Sequence, residues 1–501
     1  MSRRRILKNV CSTWMNLTIT MILTFFVSPI IVHSLGIEVY GLWVIIVSIT
    51  GYFTVLDLGI NTAIVKYVSE YFSQEEHAKV RQIFSTSLII FTAVAALILV
   101  AGSGISLKFE SFFKVKDISS QVILLTFWIV VIEMAIGMVF SVYTGTLAAL
   151  QEFVAINAIS IAASVMKNLL IVFFLLNGYG IVTMALVQFG TSLFRCVSQT
   201  AHLRKNYRDI YFEPRSIDLS GFRQLYNYSI YSFIIAIALK ILFYTDSLVI
   251  GRLIGLQQVT YYAIPSTLLD YIEKFVWAMI AVLVPVISGN SALGEESGNR
   301  RLYLLGTRYS LLLSAPVIIS LFWIGPDFIT LWMGQEIGDE SLWVLRILLL
   351  GYGFAFSQLI AHGLLKGIAR HRVLALVMIV EAAANLLLSV LLAPRYGIEG
   401  VAFGTALPLW AATFALIFYT CRCLQISLYE YLLKGYSGAV VSILLVGTLS
   451  YYLMQPCKAY WQVFGQSFVV LVFFLIFAVP LCVDKDHLAM LRSRLPFIAT
   501  R

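Results

Sequence analysis

Stretches of about 20 apolar residues recur along the whole chain, and a run of that length crosses a hydrocarbon core about 30 Å thick as one α-helix. Each is closed by a short polar or basic segment. The pattern predicts fourteen spans, near 13–35, 42–65, 84–107, 121–148, 154–177, 179–201, 224–251, 258–288, 305–324, 341–365, 373–393, 398–421, 435–455 and 462–483. The opening MSRRRILKNV leads into an apolar run too long for a cleavable signal and without its small-residue cleavage site, so the first span is expected to be retained. The fold class predicted is all-α, a polytopic membrane protein.

Composition agrees: 60% of the 501 residues are apolar and 12% charged, against about 25% charged in a soluble domain. The formal charge of +9 would raise the question of nucleic acid in a soluble chain. Here the bases fall between apolar runs and report topology instead. With the N-terminus inside, cytoplasmic segments hold 25 Lys and Arg and outer loops hold 6, as the positive-inside rule requires. Both termini are therefore placed in the cytoplasm. Outer loops are short, the longest near 108–120 and 325–340, and the largest inner one is 202–223. The chain has no GxxxxGK[ST] phosphate loop, so ATP-driven work is not indicated. Six scattered cysteines and six scattered histidines have no metal-ligand spacing. No metal and no cofactor is called for.

An internal repeat adds organisation. Asn168-Leu169-Leu170 and Tyr179-Gly180-Ile181 return 217 residues later as Asn385-Leu386-Leu387 and Tyr396-Gly397-Ile398. An offset of six spans keeps both copies in one orientation, so they form parallel repeats related by a pseudo-two-fold along the membrane normal. The domains expected are an N-terminal lobe at 1–201 (spans 1–6), a basic cytoplasmic linker at 202–223, and a C-terminal lobe at 224–421 (spans 7–12). Residues 422–501 hold two appended spans and a cytoplasmic tail. Gly363-x-x-x-Gly367 and Gly400-x-x-x-Gly404 have the small-residue spacing of close helix contacts within a monomer.

The span count, the two six-span halves, and the motifs Leu35-Gly36, Tyr40-Gly41-Leu42-Trp43 and Leu56-Asp57-Leu58-Gly59 resemble those of bacterial polysaccharide (O-antigen) flippases of the MATE-like exporter superfamily. Tyr179-Gly180 and Tyr396-Gly397 serve as the loop turns of that pattern. The resemblance implies a multi-pass protein of the bacterial inner membrane. Such a protein flips a polyprenyl-pyrophosphate-linked oligosaccharide to the outer leaflet by alternating access. Its partners would be the lipid-linked substrate, the bilayer and a polysaccharide polymerase.

Charges inside spans mark candidate sites, because each costs about 2.5–3.5 kcal/mol on insertion scales. Lys167, Lys240 and Lys274 are the candidate ligands of an anionic headgroup. Asp57, Glu133, Asp246, Asp270, Glu273 and Glu381 are candidates for the cavity wall or ion coupling. The alternative for any of them is a salt bridge between helices. Asp270 and Lys274 are four apart on one helical face, bracketed by Pro265 and Pro285. Arg346 lies near a span end, where it can snorkel to the interface. The acid excess leaves a cation-coupled multidrug antiporter of the same superfamily as a rival. A rival of another class is a membrane-embedded glycosyltransferase or polymerase, which would need the 325–340 loop to overhang a groove.

Overall fold

The computed structural model describes residues 3–113, 115, 118–218, 230–281 and 283–482, and among them the chain is helical without a strand. The solvent is the cause: hydrocarbon offers no partner to a bare N–H or C=O, and a helix pairs them within the segment. Twelve helices are long and apolar enough to cross a membrane. One of these, His371–Cys423, is two spans joined at a kink, where Gly397 takes φ 61° and ψ −142° three residues after Pro394. Counting its halves separately, and adding Leu256–Ala281 with its three charged residues, brings the spans to about fourteen.

The chain divides into two units, Met1–Ala263 and Ile264–Arg501. The first holds α1 (Arg3–Leu35), α2 (Ile37–Phe53), α3 (Ile60–Ser73), α4 (His77–Ser106), α5 (Phe109–Phe113), α6 (Ser120–Ala149), α7 (Phe153–Leu176), α8 (Ile181–Asn206) and α9 (Ile230–Leu253). Here α7 packs on α1 and α8, α6 on α4 and α8, and α9 on α2. The boundary falls within α10 (Leu256–Ala281). Then follow α11 (Val284–Ala292), α12 (Glu296–Met333), α13 (Gln335–Glu340), α14 (Leu342–Ala355), α15 (Leu359–Gly367), α16 (His371–Cys423), α17 (Leu428–Tyr431), α18 (Ser437–Leu453) and α19 (Tyr460–Cys482). In the second unit α14 packs on α16, and the appended α18 and α19 pack on α12.

Three segments differ from the pattern read along the chain. The span expected at 42–65 is broken: α2 ends at Phe53, a 3₁₀ turn covers Thr54–Asp57, and Leu58 and Gly59 are left-handed at φ 50° and 78° before α3 begins. Holding a leucine there costs about 1–2 kcal/mol, and the Asp57 carboxylate offsets part of it by accepting from the Asn61 backbone N–H at 3.1 Å. Hydropathy is blind to such a break because the residues on both sides remain apolar. Residues 325–340 are no loop, since they complete α12 and form α13. The span at 341–365 is interrupted by a 3₁₀ turn at Phe356–Gln358.

The described part of the basic linker is laced onto α4. Ser85 and Thr86, both buried, accept from the backbone N–H of Glu213 (2.9 Å) and Asp218 (3.1 Å), while Arg81 pairs with Glu213 at 3.3 Å. The part of the expected linker at 219–223 and the expected tail at 483–501 lie outside the described residues. At the end of the unit where α6 meets α7, Glu152 accepts from Tyr207 Oη (2.8 Å) and pairs with Arg5 (3.2 Å). Burial, reinforced by this carboxylate, pushes the Tyr207 phenol up to about 12, so it remains a donor at every physiological pH.

The small-residue motif at Gly400 and Gly404 closes the hairpin inside α16. A Cβ at Gly404 would come within 2.6 Å of the Ser389 backbone nitrogen, and one at Gly400 within 2.6 Å of the Leu392 carbonyl oxygen. Backbone cannot move aside as a flexible side chain can. Gly404→Val is therefore expected to abolish the monodisperse peak of the protein in detergent size-exclusion chromatography, whereas Gly447→Val, on an open face of α18, leaves it unchanged.

Candidate functional site: a cation-lined cavity in the first unit

Five helices turn polar residues toward one another in the first unit, α3 with Asn61, Thr62 and Lys66 among them. On α8 the stripe is Gln188, Thr191, Ser192, Arg195 and Gln199, a helical spacing that keeps all five on one side. On α7 it is Ser160, Ser164 and Lys167, on α1 Asn16 and Thr20, and on α6 Glu133 with Ser141 and Thr144. Apolar residues on the other faces hold the helices against lipid and each other, so the polar faces are left to enclose water.

The enclosed space has two chambers. The first, about 330 Å³, is bounded by Asn16, Glu133, Ser164, Lys167, Gln188 and Arg195. The second, about 820 Å³, is bounded by Asn61, Lys66, Phe140, Thr144, Arg195 and Gln199. Ser160 and Arg195 line both. Three of the four ionisable groups named are cations. The one carboxylate, Glu133, is held by Gln188 Nε2 at 2.8 Å. Gln199 is held likewise, accepting from Thr144 Oγ1 at 2.6 Å. Lys167 makes no hydrogen bond or ion pair among the described residues, and Arg195 reaches Ser192 Oγ at 3.4 Å and the neighbouring Cys196 thiol. Such a site offers loosely held cationic donors and an array of amides and hydroxyls in volumes of ligand-pocket size.

The other predicted residues sit elsewhere. Asp57 serves the helix break described above. Lys240 lies over the Tyr244 ring, 5.3 Å from its centroid. Asp246 is buried and accepts from Tyr262 Oη at 2.6 Å. In the second unit Asp270 and Lys274 form their i,i+4 ion pair at 2.5 Å. Glu273 accepts from Trp277 Nε1 at 3.3 Å. Glu381, buried on α16, is close enough to Glu273 to repel it electrostatically. The structure thus brings Lys167 and Glu133 into one cavity, and Glu273 and Glu381 into another cluster.

Arg195 and Lys66 are among the 25 Lys and Arg that the sequence pattern places in cytoplasmic segments. Arg195 is in fact eleven residues before the end of α8, about 16 Å along the axis. The signal that could have found it is the polar period on α8, which a hydropathy average erases.

A family model for polysaccharide biosynthesis proteins matches residues 6–291, more than half of the chain and all of the cavity-forming helices. The chain belongs to this family. This polysaccharide biosynthesis family member is 22% identical, over 375 residues, to a Shigella flexneri protein assigned as an O-antigen transporter, covering 74% of this chain and 87% of the relative. Solved structures share its fold. Lipid II flippase MurJ, in an inward closed conformation, superposes with a TM-score of 0.74 over 95% of this chain and 98% of its own, at 13% identity. An inward-facing multidrug resistance MATE family transporter of the MOP superfamily gives 0.69 over 82% and 97%, at 14% identity. The sequence-based resemblance to flippases of this superfamily, and the all-helical membrane fold it implied, are both borne out.

Proposed function

We propose that this protein carries a polyprenyl-diphosphate-linked oligosaccharide from the cytoplasmic to the outer leaflet of a bacterial inner membrane by alternating access. The observation that carries the reading is the cavity of the first unit. A diphosphate needs cations, and Lys167 and Arg195 line the first chamber while Arg195 and Lys66 line the second, which shares Ser160 and Arg195 with it. Arg195, on the wall shared by both chambers, takes phosphate oxygens in a bidentate fork, and Lys167 adds a point charge. The amides and hydroxyls around them match sugar hydroxyls, while the polyprenyl chain stays in lipid. Relatives that handle such cargo support this reading by kinship: an assigned O-antigen transporter and a lipid II flippase.

Coupling to a cation is the second part of the proposal. Of the acids in the spans, Asp57, Glu133, Asp246, Asp270 and Glu273 each have a donor or cation in hand. Glu381, buried on α16 on the side of Glu273, has no hydrogen bond or ion pair among the described residues and is the acid left to take up a proton or sodium ion. The same acid favours the second reading, a cation-coupled multidrug antiporter. Depletion of the protein in its native cell separates the two. The flippase reading expects a lipid-linked oligosaccharide to accumulate on the cytoplasmic leaflet and long-chain surface polysaccharide to disappear. Intact surface polysaccharide with raised retention of cationic dyes would establish the antiporter instead.

A further inference from the structure

In the second unit a groove of about 340 Å³ lies where α14 meets the half of α16 that follows the Gly397 kink. Its mouth is at the end of these helices. Trp343 is the second residue of α14, and Glu399 follows the kink by two. From there the groove runs inward past Phe403 and Leu407 to Leu350 and Trp410. Seven residues separate Trp343 from Leu350 and eleven separate Glu399 from Trp410, so the groove is about 10–16 Å long. One leaflet of hydrocarbon is about 15 Å deep.

The walls are apolar and fixed. The Trp410 indole donates to the Leu350 carbonyl oxygen at 3.1 Å, which locks the ring at the inner end. Leu350, Phe403 and Leu407 are about half exposed and have no protein covering them. At the mouth the chemistry changes. Arg346 packs its guanidinium over the rings of Phe322 (5.5 Å) and Trp343 (5.4 Å), and its Nε donates to the Phe322 carbonyl oxygen at 3.3 Å. Its terminal amino groups have no hydrogen-bond partner among the described residues. The Glu399 carboxylate has none either, and the two form no ion pair with each other there. Two opposite charges that are partly exposed and unpaired with each other thus sit at the mouth of an apolar trough about one leaflet deep.

We propose that this groove is a binding site for a zwitterionic aminophospholipid, a phosphatidylethanolamine. The phosphate meets Arg346, the primary ammonium meets Glu399, and one acyl chain lies along Phe403, Leu407 and Trp410. A choline head has no N–H to give Glu399, and a glycerol head has no cation for it. The site lies apart from the cavity assigned to the transported headgroup and does not depend on that assignment.

Native mass spectrometry of the full-length protein, released from nanodiscs holding equal parts phosphatidylethanolamine, phosphatidylcholine and phosphatidylglycerol, tests it. Retained phosphatidylethanolamine is expected to exceed phosphatidylcholine by about threefold, the worth of one interfacial ion pair. Glu399→Gln removes that preference, Arg346→Gln lowers retention of both lipids, and Leu407→Trp, which fills the trough from a half-exposed position, lowers retention of all three. Equal retention of the three lipids by the unaltered protein overturns the proposal without calling on any variant. So does a preference that survives Glu399→Gln.

Discussion

Under the function proposed above, replacing Arg195 by alanine is expected to lower export about a hundredfold while the protein remains folded and abundant. The size follows from two charge-assisted hydrogen bonds to phosphate, each worth about 1.5–3 kcal/mol, where 2.7 kcal/mol already amounts to about two decades. Stability is spared because the side chain is exposed to the chambers and its contact with Ser192 Oγ is long, at 3.4 Å. Arg195→Lys restores charge but not the bidentate fork and is expected to recover only part of the loss. Lys167→Ala is milder, a point charge among others. The measurement is surface polysaccharide per unit of membrane protein in a deletion strain carrying each variant. Unchanged export by Arg195→Ala at normal protein level removes this residue from the transport path.

The second large effect concerns stability. Gln358, at the 3₁₀ interruption between α14 and α15, is 1% exposed, and its amide serves three buried tyrosines and the Ser357 hydroxyl at 3.2 Å. Its Oε1 accepts from Tyr303 Oη at 2.9 Å, and its Nε2 donates to Tyr431 Oη at 2.7 Å and Tyr436 Oη at 3.0 Å. The rings of Tyr303 and Tyr431 stack with centroids 4.9 Å apart. Tyr436 ends a π-helical turn, Leu432–Tyr436, so this one amide joins two places where the α-helical ladder is interrupted. Gln358→Leu removes the partner of all three hydroxyls at nearly constant volume. A buried polar group left unpaired costs about 1–3 kcal/mol, and the sum is expected to be about 3–5 kcal/mol, since Thr307 and Ser357 still serve two of the hydroxyls. The midpoint of thermal unfolding in detergent should fall by several degrees. Tyr303→Phe, which deletes a single donor, should cost about a third as much. Equal midpoints for Gln358→Leu and the unaltered protein would show the network to be energetically idle.

Much of this molecule could be read along the chain because the bilayer imposes a length and an apolar content on every segment that crosses it. The positions of the spans, the turns at Gly180 and Gly397, the close approach at Gly404, and the ion pair between Asp270 and Lys274 all depend on neighbours within a few residues or one hairpin. Lys167 and Glu133 were also legible, since a charge inside an apolar run announces itself. What local pattern could not supply was company. Asp57 stands out in sequence as a mid-span carboxylate, yet its partner is the Asn61 amide and its task is to restart a broken helix. Asp246 reads as a free acid until Tyr262 is folded against it.

The amino-acid sequence by itself determined that the chain crosses a membrane many times as helices, because hydrocarbon leaves the backbone no other way to pair its polar groups. Only the tertiary structure decided which polar stripes meet. Arg195 and Lys66 resemble any other flanking base one helix at a time, and come to line neighbouring chambers only when α1, α3, α6, α7 and α8 turn those faces inward.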